Sequence, residues 1–186
     1  MRRMLVLMAT LAAVAAGCVQ DRGQTEGDQV VASAQTEHKH LEELEPLFGP
    51  GNAQLVVAKP TTVRAYRLAD DSFYQADVAD YEVISGPVDV GDELAMQAAA
   101  LLLDPDSYLW DAAKGCEPVY GVRLEFVQGE TTVDVAFCFD CDILSVYTQG
   151  KAVGGEDFDN IRPQLVGIMQ KIFPKDEAIQ SLKANG

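Results

Sequence analysis

The chain has 186 residues, enough for one domain, and its apolar content of 48% is ordinary for a globular protein. Its formal net charge is −15, and removal of Arg2 and Arg3 with an N-terminal leader would leave −17. Such a balance argues against nucleic acid as a partner and against a polybasic membrane contact, because both need clustered Lys and Arg. An acidic surface of this kind ordinarily keeps a protein soluble.

The first 17 residues predict an export signal. Met1-Arg2-Arg3 is a short basic segment, and residues 4–16 form an uncharged apolar run of 13 residues. A run of that length is too short to cross a bilayer, which takes about 20 residues. It is typical of the apolar region of a secretory signal peptide.

The residues that follow, Ala15-Ala16-Gly17-Cys18, resemble the bacterial lipobox, which type II signal peptidase recognises. The resemblance implies that residues 1–17 are removed and that Cys18 receives diacylglycerol on its sulfur. Val19 stands where an aspartate would favour the inner membrane, so the resemblance favours the outer membrane of a bacterial cell envelope. Cleavage after Ala13-Val14-Ala15, giving simple secretion, and an uncleaved anchor remain as alternatives.

Residues 18–40 predict a lipidated Cys18 followed by a disordered tether. The stretch is rich in Gln, Asp, Gly, Thr, Glu and Ser and has no apolar period, so it cannot bury enough surface to offset its ordering entropy. A chain of this kind spans about 25 Å on average. His38 and His40 form a weak metal motif in a segment that fixes no geometry, so no cofactor is expected.

Residues 41–186 predict one domain. Its first part alternates short elements: a helix over 41–48, strands over 54–58, 61–68 and 80–85, and a polar loop over 70–79. Asp92 is a good N-cap for a helix that runs to Leu103, where Pro105 follows. Four apolar residues are expected on the buried face of that helix: Leu94, Ala98, Leu101 and Leu102.

The clearest signal lies in residues 120–148. Segments 120–127, 131–139 and 143–148 alternate apolar and polar residues, and Gln128-Gly129-Glu130 is a turn. This period predicts an antiparallel meander that is apolar on one face.

A C-terminal helix is expected to cover that face. Its apolar residues recur at helical spacing, and a last short helix is expected over 176–184; the spaced residues are Ile161, Leu165, Ile168, Met169 and Ile172. Asn160 or Asp159 is expected to cap the start. The predicted fold class is therefore α+β: an antiparallel β-meander packed against C-terminal and central helices in a single small domain.

Three cysteines of the domain are the candidate site residues: Cys116, Cys138 and Cys141. An exported chain folds in an oxidising compartment, where a disulfide is expected. If Phe139 and Asp140 form a two-residue hairpin loop, Cys138 and Cys141 face each other at about 5.5 Å between Cα atoms. Cys116 bonded to either of them would close a loop of roughly 22–25 residues, worth about 3 kcal/mol.

Redox chemistry and metal binding are the alternatives for these thiols. The spacing of Cys138 and Cys141 is that of thioredoxin-like motifs, but no helix start follows, and Asp140 and Asp142 would raise the thiol pKa. Zinc would need a fourth ligand, and the domain has no His.

Other candidate sites are weaker. Asp104, Asp106 and Asp111 carry oxygen ligands that calcium prefers, without the spacing of an EF-hand, so a solvated acidic loop is expected. Tyr108 and Trp110 are expected in the core, with a binding cleft as the alternative. No Ser-His-Asp or Cys-His catalytic group can be assembled from a domain without His.

Three segments, 63–68, 116–118 and 133–142, together resemble exported bacterial proteins of unassigned function. The resemblance implies only that the three cysteines belong to one domain design.

The sequence therefore predicts a membrane-anchored envelope lipoprotein with a non-catalytic binding or structural domain. Its expected partners are the membrane, through the lipid anchor, and a protein or small molecule of unknown identity. The alternative is a thiol redox protein that uses Cys138 and Cys141.

Overall fold

Residues 41–110 and 112–185 are described by the computed structural model, and they build a six-stranded antiparallel sheet with helices packed on it. The expectations for residues 1–40, namely the signal peptide, the lipidated Cys18 and the tether, lie outside the described residues. The same holds for Asp111.

The strands lie in the order β2-β1-β3-β4-β5-β6, and every neighbouring pair is antiparallel. Their bounds are β1 Thr62–Leu68, β2 Val83–Asp89, β3 Val122–Gln128, β4 Thr131–Cys138, β5 Ile143–Thr148 and β6 Lys151–Asp157. The predicted meander is confirmed for β3 to β5, and so is the α+β class.

Five helices accompany the sheet in the described part of the chain: α1 Glu45–Phe48, α2 Ala53–Ala58, α3 Asp92–Leu102, α4 Arg162–Ile172 and α5 Glu177–Gln180. Helix α1 contacts β5 and β6, α2 contacts β3 and β4, and α3 packs between α2 and α4. The helices and one sheet face together enclose the main apolar core.

Apolar residues in register across the central strands form the floor of this core. Leu124 pairs with Val135, and Val135 pairs with Val146, so three fully buried side chains lie side by side on one face. Burial of such a side chain is worth about 1.5–3 kcal/mol. The predicted apolar stripe of α4 is confirmed, because Leu165, Ile168, Met169 and Ile172 are all buried.

The expected strand over 54–58 is wrong, since this segment forms helix α2. Its buried residues include Ala53, Val56 and Val57, whereas Leu55 is 54% exposed, which is helical spacing. A short apolar run does not distinguish a strand from a buried helix. Here the contact with β3 and β4 decides the outcome.

Strand β6 was not predicted, because Gly154 and Gly155 lie within it and glycine is a poor strand residue. Gln149 and Gly150 both have positive φ, as a tight two-residue hairpin turn requires, and this turn starts β6. Gly154 lies where α1 crosses the strand: a Cβ there would overlap the carbonyl of Leu47 and lie 2.7 Å from that of Pro46.

The predicted buried face of α3 is confirmed at Ala98 and Leu102 but not at Leu94 and Leu101. Ala95, Ala98, Ala99 and Leu102 are buried, while Leu94 and Leu101 are only partly covered. Alanines allow α3 to lie close to its neighbours, and the leucines are therefore turned toward its edges. The N-cap is also shifted from the expected position, because Gly91 caps the helix and Asp92 is its first residue.

Two further helix boundaries differ from the expectation. A 3-10 turn, Asp159–Ile161, precedes α4, so the N-cap position belongs to Ile161 and not to Asn160 or Asp159. The last helix is shorter than expected, and its N-cap Asp176 accepts a hydrogen bond from the Ile179 amide at 3.0 Å.

The opposite sheet face carries a second, smaller apolar cluster, which the one-faced pattern did not predict. Residues 69–81 lie over it. The Tyr81 and Tyr147 hydroxyls are 2.8 Å apart, and the Tyr147 hydroxyl donates to the carbonyl of Gln75. The Tyr120 hydroxyl lies 2.6 Å from Ser145 Oγ. Hydrogen bonds thus allow three tyrosines to be buried against the strands.

Substitution of two glycines by alanine is expected to change the free energy of unfolding in opposite directions. We expect Gly154→Ala to lower the free energy of unfolding by about 1–3 kcal/mol, because the new methyl group collides with α1. Gly167→Ala, in the middle of α4 with no atom within 4 Å of the new Cβ, should raise it by about 0.5–1 kcal/mol. Urea denaturation of both variants checks this, and equal effects would contradict the described crossing of α1 over β6.

Candidate functional site

The cysteines expected to carry the chemistry form one disulfide, between Cys116 and Cys141, with 5.9 Å between their Cα atoms. This is one of the pairings that the sequence left open. Cys138 is a free thiol and is fully buried. The facing of Cys138 and Cys141 across a two-residue loop is not observed, because Cys138 pairs with Ile143 and the loop has four residues, 139–142.

The side chains of that loop explain the longer turn. Phe139 is buried in the main core, where its ring contacts those of Phe137 and Phe158. Asp142 has a φ of 55°, which closes the turn. Cys138 and Cys141 both belong to the apolar cluster on the other sheet face. The loop therefore turns Cys141 away from Cys138 and toward the segment 112–119.

A lysine fastens the same segment to the same loop. Lys114 Nζ donates to the Cys141 carbonyl at 2.7 Å, lies 2.8 Å from Asp157 Oδ2 and also bonds Asp159. Residues 112–117 are exposed and lack regular structure, so these bonds and the disulfide hold them in place.

An arginine fastens α4 to the loop from the other side. Arg162, the first residue of α4, is buried; its guanidinium donates to the Phe139 carbonyl, to Asp142 and to the Lys183 carbonyl. We call the disulfide together with Lys114, Asp142 and Arg162 the hairpin clamp. A surface cleft of about 510 Å³ lies beside it. The two cations of the hairpin clamp, Lys114 and Arg162, are held in ion pairs and in hydrogen bonds to carbonyl groups, which is typical of a structural role.

A second charged cluster, which the sequence did not indicate, crosses the opposite sheet face. Arg64 pairs with Glu125 at 3.1 Å, and the Tyr66 hydroxyl donates to the same carboxylate. The guanidinium of Arg123 lies 4.1 Å above the Tyr66 ring centroid, a cation–π contact. Asp134, on β4, lies directly opposite Glu125 and close to Arg123, so two carboxylates and two guanidinium groups share this part of β1, β3 and β4.

Asp134 has the least favourable environment in this charged cluster. It is only 3% exposed, and its Oδ1 lies 3.6 Å from Arg123 Nε, beyond hydrogen-bond distance. Neither of these two atoms has a hydrogen-bond partner among the described residues. Burial raises the pKa of Asp134 to about 6, although Arg123 opposes the shift. The alternating pattern predicts Asp134 on a solvated face and gives no sign that this position is buried.

Among the acidic candidates near the aromatic pair, the described Asp104 has a structural partner. Asp104 Oδ1 accepts from the Asp106 amide and caps the turn Pro105–Ser107. The buried Tyr108 donates to the Leu102 carbonyl at 2.6 Å, and Trp110 Nε1 donates to the Pro105 carbonyl at 2.9 Å. Tyr108 belongs to the core and Trp110 packs against it, as expected.

Within 41–110 and 112–185, no cluster of three or more His, Cys, Asp or Glu is arranged to hold a metal ion. In the same part of the chain, every helix is too short or too polar to span a membrane.

An apolar groove lies between α3 and α4, open to solvent, with a volume of about 460 Å³. The lining residues come from both helices: Gln97, Ala100, Leu101, Pro163, Gln164, Gly167, Ile168 and Lys171. Met96, on the next turn of α3, is 67% exposed. Contiguous exposed apolar surface is a common feature of binding grooves. The sequence feature that could have indicated this groove is the composition of α3, which is apolar around most of its circumference.

No family model, no curated protein and no solved structure matches this chain.

Thiol labelling tests the disulfide. With Cys18→Ser, we expect the folded, unreduced chain to take up no alkylating label, because Cys138 is buried. It should take up one label after unfolding and three after unfolding with reductant. Intact mass measures the number, and peptide mapping locates the labels. A label on Cys141 before reduction would contradict the Cys116–Cys141 bond.

Asp134 predicts a pH-dependent stability. Its pKa of about 6 in the folded chain exceeds the ordinary value of 3.8, so the folded state binds more protons between these values. The stability that this proton provides is present at low pH and is lost as pH rises from about 4 to 6, on the order of 3 kcal/mol. We therefore expect Asp134→Asn to gain stability relative to the native chain as pH rises.

Urea denaturation at pH 4 and pH 7 measures this difference, with the exposed Asp71→Asn as the matched control. A difference between Asp134→Asn and the native chain that does not change with pH would rule out the raised pKa.

Proposed function

We propose that this chain is a lipid-anchored protein of the bacterial cell envelope whose disulfide-linked α+β domain binds a partner without catalysing a reaction. The observation that carries the binding role is the solvent-open apolar groove between α3 and α4. Leaving such surface in water costs free energy, which a bound partner recovers.

The hairpin clamp supports an exported location. Disulfides persist in oxidising compartments, whereas cytosolic thiols are kept reduced. Cys116 is exposed, so a reducing environment would have access to this bond. The apolar leader and the lipobox-like Ala15-Ala16-Gly17-Cys18 support the same location from the sequence.

Thiol redox chemistry through Cys138 and Cys141 receives less support. Cys138 is fully buried, and Cys141 is bonded to Cys116 and not to Cys138. A reactive thiolate needs an accessible and electropositive environment. We therefore assign the disulfide a stabilising role.

Metabolic labelling with an alkyne fatty acid tests the anchor. We expect the native chain in a bacterial host to incorporate the label and to sediment with membranes. Cys18→Ser should do neither, while Thr25→Ala, a control in the same N-terminal segment, should behave as the native chain does. A native chain released without label would overturn the anchored form and favour simple secretion.

A further inference from the structure

The groove between α3 and α4 has the size and the lining of a small-molecule site. Its volume of about 460 Å³ lies within the range of about 300–1,000 Å³ that ligand sites occupy. Apolar atoms of Ala100, Leu101 and Ile168 line it, with the Pro163 ring on the α4 side. These atoms favour an apolar ligand.

Gly167 keeps the groove open. It lies in the middle of α4, where glycine weakens a helix by about 0.5–1 kcal/mol relative to alanine. Apart from its chain neighbours and the backbone of α4 itself, no described atom lies within 4 Å of the position that its Cβ would take, so packing inside the domain does not require a glycine there. Close approach of a ligand to the α4 backbone would require a glycine at this position.

The charge of the groove is concentrated in one residue. Lys171 is exposed and has no ion pair among the described residues, although the chain as a whole carries −15. The other polar lining residues are the neutral amides Gln97 and Gln164. A single cation beside an apolar floor is complementary to a ligand that has one anionic group and an apolar tail.

The spacing along α4 gives the length of that tail. Pro163, Gly167 and Lys171 follow one another at intervals of four residues, on one face of the helix. Eight residues of helix rise about 12 Å. A staggered alkyl chain of roughly ten carbons extends over this distance.

We infer that the groove binds a free medium-chain fatty acid, with the carboxylate on Lys171 and the alkyl chain over Gly167 toward Pro163. This inference rests on the proposed binding function and names its ligand class. Acyl chains attached at Cys18 would be esters and would offer Lys171 no carboxylate. A second copy of the chain would bring another −15 charges toward the groove.

Binding of laurate to the exported full chain with Cys18→Ser tests the inference. Calorimetry gives the affinity, and the NMR signal of carboxyl-labelled laurate reports the head group. We expect one laurate per chain. Gly167→Leu should weaken its binding about tenfold or more by filling the groove. Lys171→Gln should weaken laurate about threefold and leave dodecanol unchanged, because only the ion pair is lost.

Matched controls separate these effects from general surface changes. Ala178→Leu adds an exposed leucine on α5, and Lys175→Gln removes an exposed lysine beyond α4. Both should bind laurate as the native domain does. Circular dichroism checks the fold of each variant, and Lys171→Gln keeps the test decisive if Gly167→Leu does not fold.

Three results would overturn the inference: no laurate binding up to about 1 mM, equal binding by Gly167→Leu and the native chain, or tighter binding of dodecyltrimethylammonium than of laurate. A concentration-dependent dimer that Gly167→Leu abolishes would assign the groove to a second copy and also overturn it. The fatty-acid labelling at Cys18 is independent of all four results, so failure of the ligand and failure of the anchor are distinguishable.

Discussion

The loop over residues 139–142 is the constraint on which the remaining structure depends. It joins β4 to β5, two separate parts of the chain are attached to it, and it is itself anchored in the core. The disulfide at Cys141 holds the segment 112–119, Arg162 holds the start of α4, and Phe139 anchors the loop itself in the core. Because Cys116 and Cys141 lie 25 residues apart, their bond removes about 3 kcal/mol of chain entropy from the unfolded state.

The completeness of hydrogen bonding determines how this acidic domain accommodates buried charge. Asp142 is buried against Arg162, whose remaining donors reach two backbone carbonyls, so the pair is well satisfied. Asp134 and Arg123 are buried with poorer geometry, and the pKa of Asp134 is raised as a result. A buried ion pair stabilises a fold only when its hydrogen bonds are complete. The pair at the loop and the pair on the sheet therefore have opposite effects on stability near neutral pH.

The groove follows from the way α3 and α4 are packed. Alanines form the buried stripe of α3, and this leaves Leu101 partly exposed in the groove that Gly167 also lines. The hairpin clamp fixes the beginning of α4 through Arg162, so one wall of the groove is rigid at the end where Pro163 lies. A preformed site of this kind binds with little ordering cost. Held near a membrane by the proposed anchor, it would encounter amphiphilic ligands there.

The sequence by itself determined the elements whose periodicity is strong: β3, β4, β5 and the apolar face of α4, and with them the α+β class. Each of these segments repeats its pattern long enough for one period to dominate. The helical form of α2 and the existence of β6 were decided by tertiary structure, since AQLVVA is ambiguous and Gly154 is needed only because α1 crosses it.

The candidate sites divide in the same way. The three cysteines are visible in the sequence, because their chemistry belongs to the residue type. Which two of them bond depends on the four-residue loop, and the burial of Asp134 depends on how the folded chain covers the second sheet face. The groove depends on the packing of α3 against α4. Local pattern specifies which residues prefer burial, but only the packed chain decides which neighbour covers each of them, because those neighbours are distant in sequence.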